Sequence, residues 1–284
     1  MRYYTPLRYP GGKGKLSYFL KALLEDNNLV GGAYVEPFAG GAGIALELLL
    51  QEFVSEIYIN DIDYAVYSFW RSVIDHTEDL CAAIENTAVT IDEWHKQREI
   101  LKSSDNILEL GFAAFFLNRT NRSGILNAGV IGGKKQDGKW KLDVRFNKSE
   151  LIERIRKIAS HRERIHVSNL DAVQFLNTIT HILPRRSLIY LDPPYYVKGQ
   201  GLYRNFYEHQ DHVDIKNVVA SILDIPWMVS YDNCPAIREI YSDFEIFEYA
   251  LQYTAQDKKV GSELMVFSDS LVLPEATLGK SLVA

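Results

Sequence analysis

The chain has little cysteine, no long apolar run and no overall excess of positive charge. Cys81 and Cys234 are the two cysteines of 284 residues and lie far apart. That excludes a disulfide-stapled scaffold and suits a reducing compartment. The longest apolar runs, "IALELLL" and "SLIYL", are far too short to span a bilayer, and "MRYYTPLRYPGGK" has no signal-peptide core. The expected location is therefore cytoplasmic, with no membrane partner. A formal net charge of −6 excludes a chain that is basic over its whole surface. Internal repeats and low-complexity tracts are absent too. What is present is 47% hydrophobic residues, enough for one large core or for a core domain with a smaller insertion.

The charge is unevenly spread. From Arg119 to His166 there are 13 Lys/Arg against 5 Asp/Glu, a local balance of +8, so the rest of the chain carries −14. A basic segment in an acidic chain suggests a footprint for a polyanion. For "ELIERIRKIASHRERI" alone, a solvated helix face is the better reading. The stretch upstream of it is harder to read that way.

Short apolar runs alternate with helical patterns. Strands are expected in "AYVEPF", "EIYIND", "RIHVSN", "SLIYLD" and "PWMVSYD", with helices following them. "FEIFEYALQY" and "ELMVFSD" have no helix between them and read as an antiparallel hairpin at one edge. The expected fold is α/β, a Rossmann-like, mostly parallel, doubly wound sheet. The alternation breaks between Ser72 and Arg164. There "KKQDGKWKLDVRF" reads as a β-hairpin with Asp137-Gly138 in its turn. Residues 72–164 are therefore expected to be an inserted helical and hairpin domain, and residues 1–71 with 165–284 the main domain.

In such sheets ligands sit beyond the carboxyl ends of the strands. "VEPFAGGAGIAL" places Gly40, Gly41 and Gly43 between a strand and a helix, where a ligand can approach the backbone. The dinucleotide pattern fails, because Leu46 stands where its last glycine belongs. Asp61, 18 residues after Gly43, ends the second strand and can accept hydrogen bonds from both hydroxyls of a ribose. Asp63 can cap the next helix. Together these suggest an adenosine-containing ligand without a pyrophosphate, and S-adenosylmethionine fits.

"LDPPYYVKG" ends another strand. The Asp192 carboxylate and the Pro193 carbonyl, fixed by its neighbouring proline, can accept both N–H bonds of a planar amino group, and Tyr195 can stack on its ring. That leaves the nitrogen nucleophilic toward a sulfonium methyl, with no covalent enzyme intermediate and no metal. A base inside a duplex must first be turned out, at a cost of a few kcal/mol. "YYVKGQGLYRNFYEH" supplies Tyr196, Tyr203, Phe206 and Tyr207 to stack on it, and Gly199 and Gly201 give the segment the composition of a lid.

These residues, in this order along nearly the whole chain, resemble the Dam-like, D12-class family of N6-adenine DNA methyltransferases. "LRYPGGK" looks like its N-terminal motif, with Tyr9 where tryptophan is usual. "VEPFAGG" looks like the cofactor loop, "YINDID" the ribose-binding strand end, "FFLNRTNRSGI" the start of target recognition and "LDPPY" the catalytic motif. The order is that of the alpha group. The resemblance implies a site-specific adenine methyltransferase (EC 2.1.1.72) acting on a flipped adenine in double-stranded DNA, in a bacterium or phage-infected host. Catalysis falls to Asp192, Pro193, Pro194 and Tyr195. The cofactor S-adenosylmethionine falls to Tyr9, Lys13, Asp61 and Asp192, to backbone around Glu36, Pro37, Phe38 and Gly40, and to Asp171 at a third strand end. A separately acting restriction endonuclease is a candidate partner, and a monomer is expected.

In "NRTNRSG", Arg119, Asn121, Arg122 and Ser123 are expected to meet DNA. Arginine reads guanine, asparagine reads adenine and serine often meets phosphate. Lys134, Lys135, Lys139, Lys141 and Arg145 would track the backbone. Cytosine N4, RNA adenine, a protein glutamine amide and a catalytically silent DNA-binding module are the alternatives. Aspartate at the head of the motif argues against cytosine, the basic segment against a protein amide, and intact Asp192 and Asp61 against a silent module.

Overall fold

The computed structural model describes residues 4–8, 16–197, 207–252 and 260–274. Tyr9, Lys13, Gly199, Gly201, Tyr203 and Phe206 lie outside the described residues.

The strands β1 (Ala33–Glu36), β2 (Glu56–Asn60), β3 (Ile165–Ser168), β4 (Ser187–Leu191), β5 (Trp227–Asp232), β6 (Ile246–Gln252) and β7 (Val260–Phe267) form one sheet. It has seven strands in the order β3-β2-β1-β4-β5-β7-β6. β1 to β5 pair in parallel; β7 enters antiparallel between β5 and β6. The hairpin is thus at the edge, as its lack of an intervening helix implies. The helices are α1 (Leu16–Asp26), α2 (Gly43–Leu50), α3 (Tyr64–Asp75), α4 (Thr77–Asn86), α5 (Ile91–Ser103), α6 (Ile107–Thr120), α7 (Lys148–Ala159), α8 (Ala172–Ile179), α9 (His209–Ser221) and α10 (Pro235–Ile240).

Successive strand residues point to opposite faces, and both faces are covered. Tyr34, Leu188, Tyr190, Met228 and Met265 enter the core shared with α1 to α7. Val35, Ile189, Leu191, Val229 and Leu264 enter the core under α8 to α10. β1, β4 and β5 are buried at every residue, which is why they read as unbroken apolar runs. Each such side chain contributes about 1.5–3 kcal/mol by leaving water. Asp63 caps α3 through the Ala65 N–H, 3.0 Å away.

Between β2 and β3 the chain adds α4 to α7. Phe69 of α3 stacks on Phe115 of α6, and Phe115 and Phe116 both meet Phe146. Gly111 permits the close fit of α6 on α3, since a Cβ there would lie 2.4 Å from Ser72 Oγ. Gly111→Ala would force these helices apart.

The β-hairpin expected in "KKQDGKWKLDVRF" does not form. Residues 131–146 run as consecutive turns, and the nearest bridge pairs Asn121 with Val130. A two-residue hairpin turn over Asp137-Gly138 would need φ > 0 at both. The positive φ values fall instead at Gly132, Gly133 and Gln136. The Gln136 side chain then occupies the groups a ladder would use: Nε2 donates to the Ile131 and Gly133 carbonyls, and Oε1 accepts from Leu142 N–H.

Candidate active site and nucleic-acid interface

The carboxyl ends of β1, β2 and β3 are tied together by one buried side chain. Asn60 Nδ2 donates to the Pro37 and Leu170 carbonyls, and its Oδ1 accepts from Leu170 N–H at 2.9 Å. The glycine turn is held from both sides. Gly40 N–H donates to Asp61 Oδ2 at 2.9 Å, and Trp70 Nε1 donates to the Gly40 carbonyl at 2.9 Å. Asp61 Oδ1 accepts from Asp63 N–H. Each Asp61 oxygen keeps a second lone pair for an incoming hydroxyl. Burial, with Asp63 nearby, pushes the Asp61 carboxyl up to about 7. Glu36 is buried, accepts from Tyr34 OH and from Ala45 N–H in the first turn of α2, and is pushed by burial up to about 8. Both carboxyls are raised first by burial, so positive charge or further hydrogen-bond donors beside them would stabilise their charged forms. The residue between Gly41 and Gly43 is Ala42, buried and left-handed at φ 45°.

Phe38 follows Pro37 and meets Tyr207 edge-on at 5.7 Å. Tyr207, Asp171, Val173, Asp211, Asp214, Asn217 and Val218 line a cavity of about 450 Å³. Burial raises the Tyr207 hydroxyl pKa, with Asp171, Asp211 and Asp61 adding to it. Asp171 also caps α8 through the Val173 and Gln174 N–H groups.

The corner after β4 is pinned by carboxylates from neighbouring strands. Ser230 Oγ donates to Asp192 Oδ1 at 3.0 Å, and Tyr190 OH lies 2.9 Å from the same Ser230 Oγ. Tyr195 OH and Tyr249 OH both donate to Glu263, which is buried on β7. The backbone N–H groups of Tyr196 and Val197 donate to the two oxygens of Asp232 at the end of β5, at 2.8 and 3.0 Å. Pro193 is buried and Pro194 half-buried. The Tyr196 ring leans on His212, whose imidazole burial holds down to about 4. Ser230, Asp232 and Glu263 carry no motif of their own. Only their places in apolar strands, where a polar side chain needs a partner, signal them.

The recognition run divides. Asn121 is fully buried; its Oδ1 accepts from Trp94 Nε1, and its Nδ2 donates to the Ile125 and Leu126 carbonyls. Its amide pins the loop, which corrects the expectation that it faces DNA. Arg119 is also buried, held down to about 9 by burial and by Arg154, Arg8 and Arg145, with no partner on its Nε among the described residues. Arg122 and Ser123 are exposed, Ser123 at φ 57°. Lys134, Lys135, Lys139, Lys141 and Arg145 are exposed as well. In contrast, three arginines in and after α7 meet carboxylates: Arg154 pairs with Glu150, Arg156 with Glu78 and Arg164 with Glu52. The loop and the N-terminal segment are joined by Asn118, which accepts from Arg8 N–H and donates to the Arg8 carbonyl, each at 2.7 Å. Among the described residues there is no cluster of His, Cys, Asp and Glu suited to a metal ion, and no helix is long and apolar enough to cross a membrane.

A doubly wound sheet in this strand order, with a glycine turn after β1 and an acidic residue just past β2, is a Rossmann-like fold whose ligand edge lies at the carboxyl ends of the strands. Residues 9–255 match the model of the D12 class N6 adenine-specific DNA methyltransferases, and the chain belongs to that family. Membership and fold together imply S-adenosylmethionine as the methyl donor. Among solved structures it is similar to yhhF of Escherichia coli, described as a methyltransferase (11% identity, 92% of this chain and 89% of that one, TM-score 0.38). It is also similar to the rRNA methyltransferase aviRa of Streptomyces viridochromogenes (12% identity, 91% and 85%, TM-score 0.37). No curated protein sequence matches it.

Proposed function

We propose that the chain methylates N6 of an adenine turned out of double-stranded DNA, with the corner at Asp192–Tyr195 holding the amino group. The observation that carries this reading is the corner's rigidity. Asp192 is held by Ser230 and Tyr195 by Glu263, on the strand beside the Gly40–Asp61 turn. When bound, S-adenosylmethionine supplies an electrophilic methyl group. Asp61 would accept from its ribose hydroxyls, and Phe38, the backbone from Glu36 to Gly40 and Asp171 would help to hold it. Tyr9 and Lys13 complete this set by family resemblance. Asp192 and the Pro193 carbonyl accept the two N–H bonds of the target amino group. That keeps the nitrogen lone pair on the nitrogen and aims it by position alone, the entropic contribution that orientation makes to catalysis. Tyr195 stacks on the base, worth about 1–3 kcal/mol and an offset to unstacking. Residues 72–164 supply the recognition surface. Arg122 and Ser123 stand at its base-facing edge, and Lys134, Lys135, Lys139, Lys141 and Arg145 lie along the phosphates, with buried Arg119 beneath. The test is competition between unmethylated duplex DNA and RNA of the same sequence for methyl transfer. Preference for the duplex supports the reading, and preference for RNA overturns its substrate.

A further inference from the structure

Of the four tryptophans, Trp70, Trp94 and Trp227 are each 1% exposed, whereas Trp140 is 60% exposed. An indole is among the most rewarding side chains to bury, so one held in solvent on an ordered loop needs a reason. The loop around it is fixed. Val130 and Leu142 anchor its ends in the core, and Gln136 bonds to Ile131, Gly133 and Leu142. Gly132, at φ +81°, lets the Trp140 carbonyl pass where a Cβ would come within 2.5 Å of it. The backbone on either side of Trp140 is therefore set while its ring stands largely in solvent. Lys139 Nζ lies 5.4 Å from the ring centroid, and Lys134, Lys135 and Lys141 are exposed on the same loop.

A flat apolar ring among cations matches a ligand with flat apolar faces and regular negative charge. We propose that Trp140 is a base-stacking anchor: it lies against a nucleobase exposed when the duplex opens, while the neighbouring lysines meet phosphates. This rests on the duplex-DNA reading above. Stacking accepts any base, so Trp140 adds affinity for opened DNA and leaves the choice of sequence to others.

The buried state of the other three tryptophans gives a direct readout. The full chain would be titrated with sheared unmethylated duplex DNA and, separately, with heparin, which has the charge but no bases. Anisotropy of a labelled duplex reports binding independently. Duplex DNA is expected to quench the exposed-tryptophan emission and heparin to leave it unchanged, with the DNA signal lost in Trp140→Phe. Trp140→Ala is expected to weaken duplex binding about tenfold, with Trp140→Phe close to the parent. The salt dependence should not change, because no charge is removed. Equal quenching by heparin and DNA, or a Trp140→Ala chain that binds duplex like the parent, overturns the anchor while leaving the DNA reading intact. Failure of the parent chain to bind duplex at all overturns both.

Discussion

At the corner after β4, several polar groups meet buried partners: Asp192 meets Ser230, Tyr195 meets Glu263, and two backbone N–H groups meet Asp232. In the loop before α7, four lysines, Arg145 and Trp140 stand exposed on a backbone that is itself well tied. The difference matches the role proposed for each region. A group that must place an amino nitrogen to within a fraction of an ångström has to be held by its own fold. A group that must follow a phosphate backbone has to keep its charge in solvent until the ligand arrives. The two regions should therefore fail differently, one in rate and the other in affinity.

The largest effect should come from Asp192→Ala, which removes the proposed acceptor of the target amino group. Methyl transfer should fall by about 10²–10³ or more while duplex binding, read by anisotropy, stays within a few-fold. Glu263→Gln comes next. It keeps the shape of the support but weakens the hold on Tyr195 and Tyr249, and a small misplacement costs up to about 10²-fold in rate. Single-turnover rates should fall about tenfold with duplex affinity unchanged. If instead affinity falls and rate does not, the corner is part of the binding surface and the contrast breaks down.

On the loop, replacing Lys134, Lys135, Lys139 and Lys141 together by alanine should weaken duplex binding and flatten its salt dependence by about 0.9 in slope for each phosphate left without its cation. The rate at saturating DNA should not move.

Proton linkage sharpens the cofactor side. Asp61 at about 7 and Glu36 at about 8 hold protons that their unfolded forms have released. The ligand-free native state thus binds more protons than the unfolded state between about pH 5 and 8, and its stability should fall as pH rises through that window. Cofactor affinity, which favours the carboxylates, should rise over the same range. Titration calorimetry in two buffers of different ionisation enthalpy should show proton release on binding near pH 6.5, and Asp61→Asn should reduce both that release and the affinity. The smallest effect belongs to Ala42→Gly. Relief of a left-handed residue, about 1–2 kcal/mol, is opposed by a lost buried methyl and by glycine's entropy. Denaturant midpoints should shift by less than about 1 kcal/mol.

The fold and the corner were legible for one reason and the recognition loop was obscure for another. Parallel strands buried on both faces write themselves as apolar runs, so β1, β4 and β5 stood out, and the strand ends carried Asp61 and Asp192 with them. The supports did not show. Ser230, Asp232 and Glu263 are single polar letters inside strands, and their meaning depends on which strands lie side by side. In the loop, Asp137-Gly138 is a good local hairpin signal, but Gln136 and the φ values at Gly132 and Gly133 direct the chain into turns. Asn121 shows the same limit. A polar residue in a polar run reads as exposed, and only the indole of Trp94, distant in sequence, reveals that it is a buried pin.

The most direct test of the division between corner and loop is transfer of label from S-adenosylmethionine into unmethylated duplex DNA by the parent chain and by Asp192→Ala, with the product digested to nucleosides. The expected result is label in N6-methyladenine from the parent, almost none from Asp192→Ala, and equal duplex binding by both. Undiminished label from Asp192→Ala, or label in N4-methylcytosine from the parent, would contradict it.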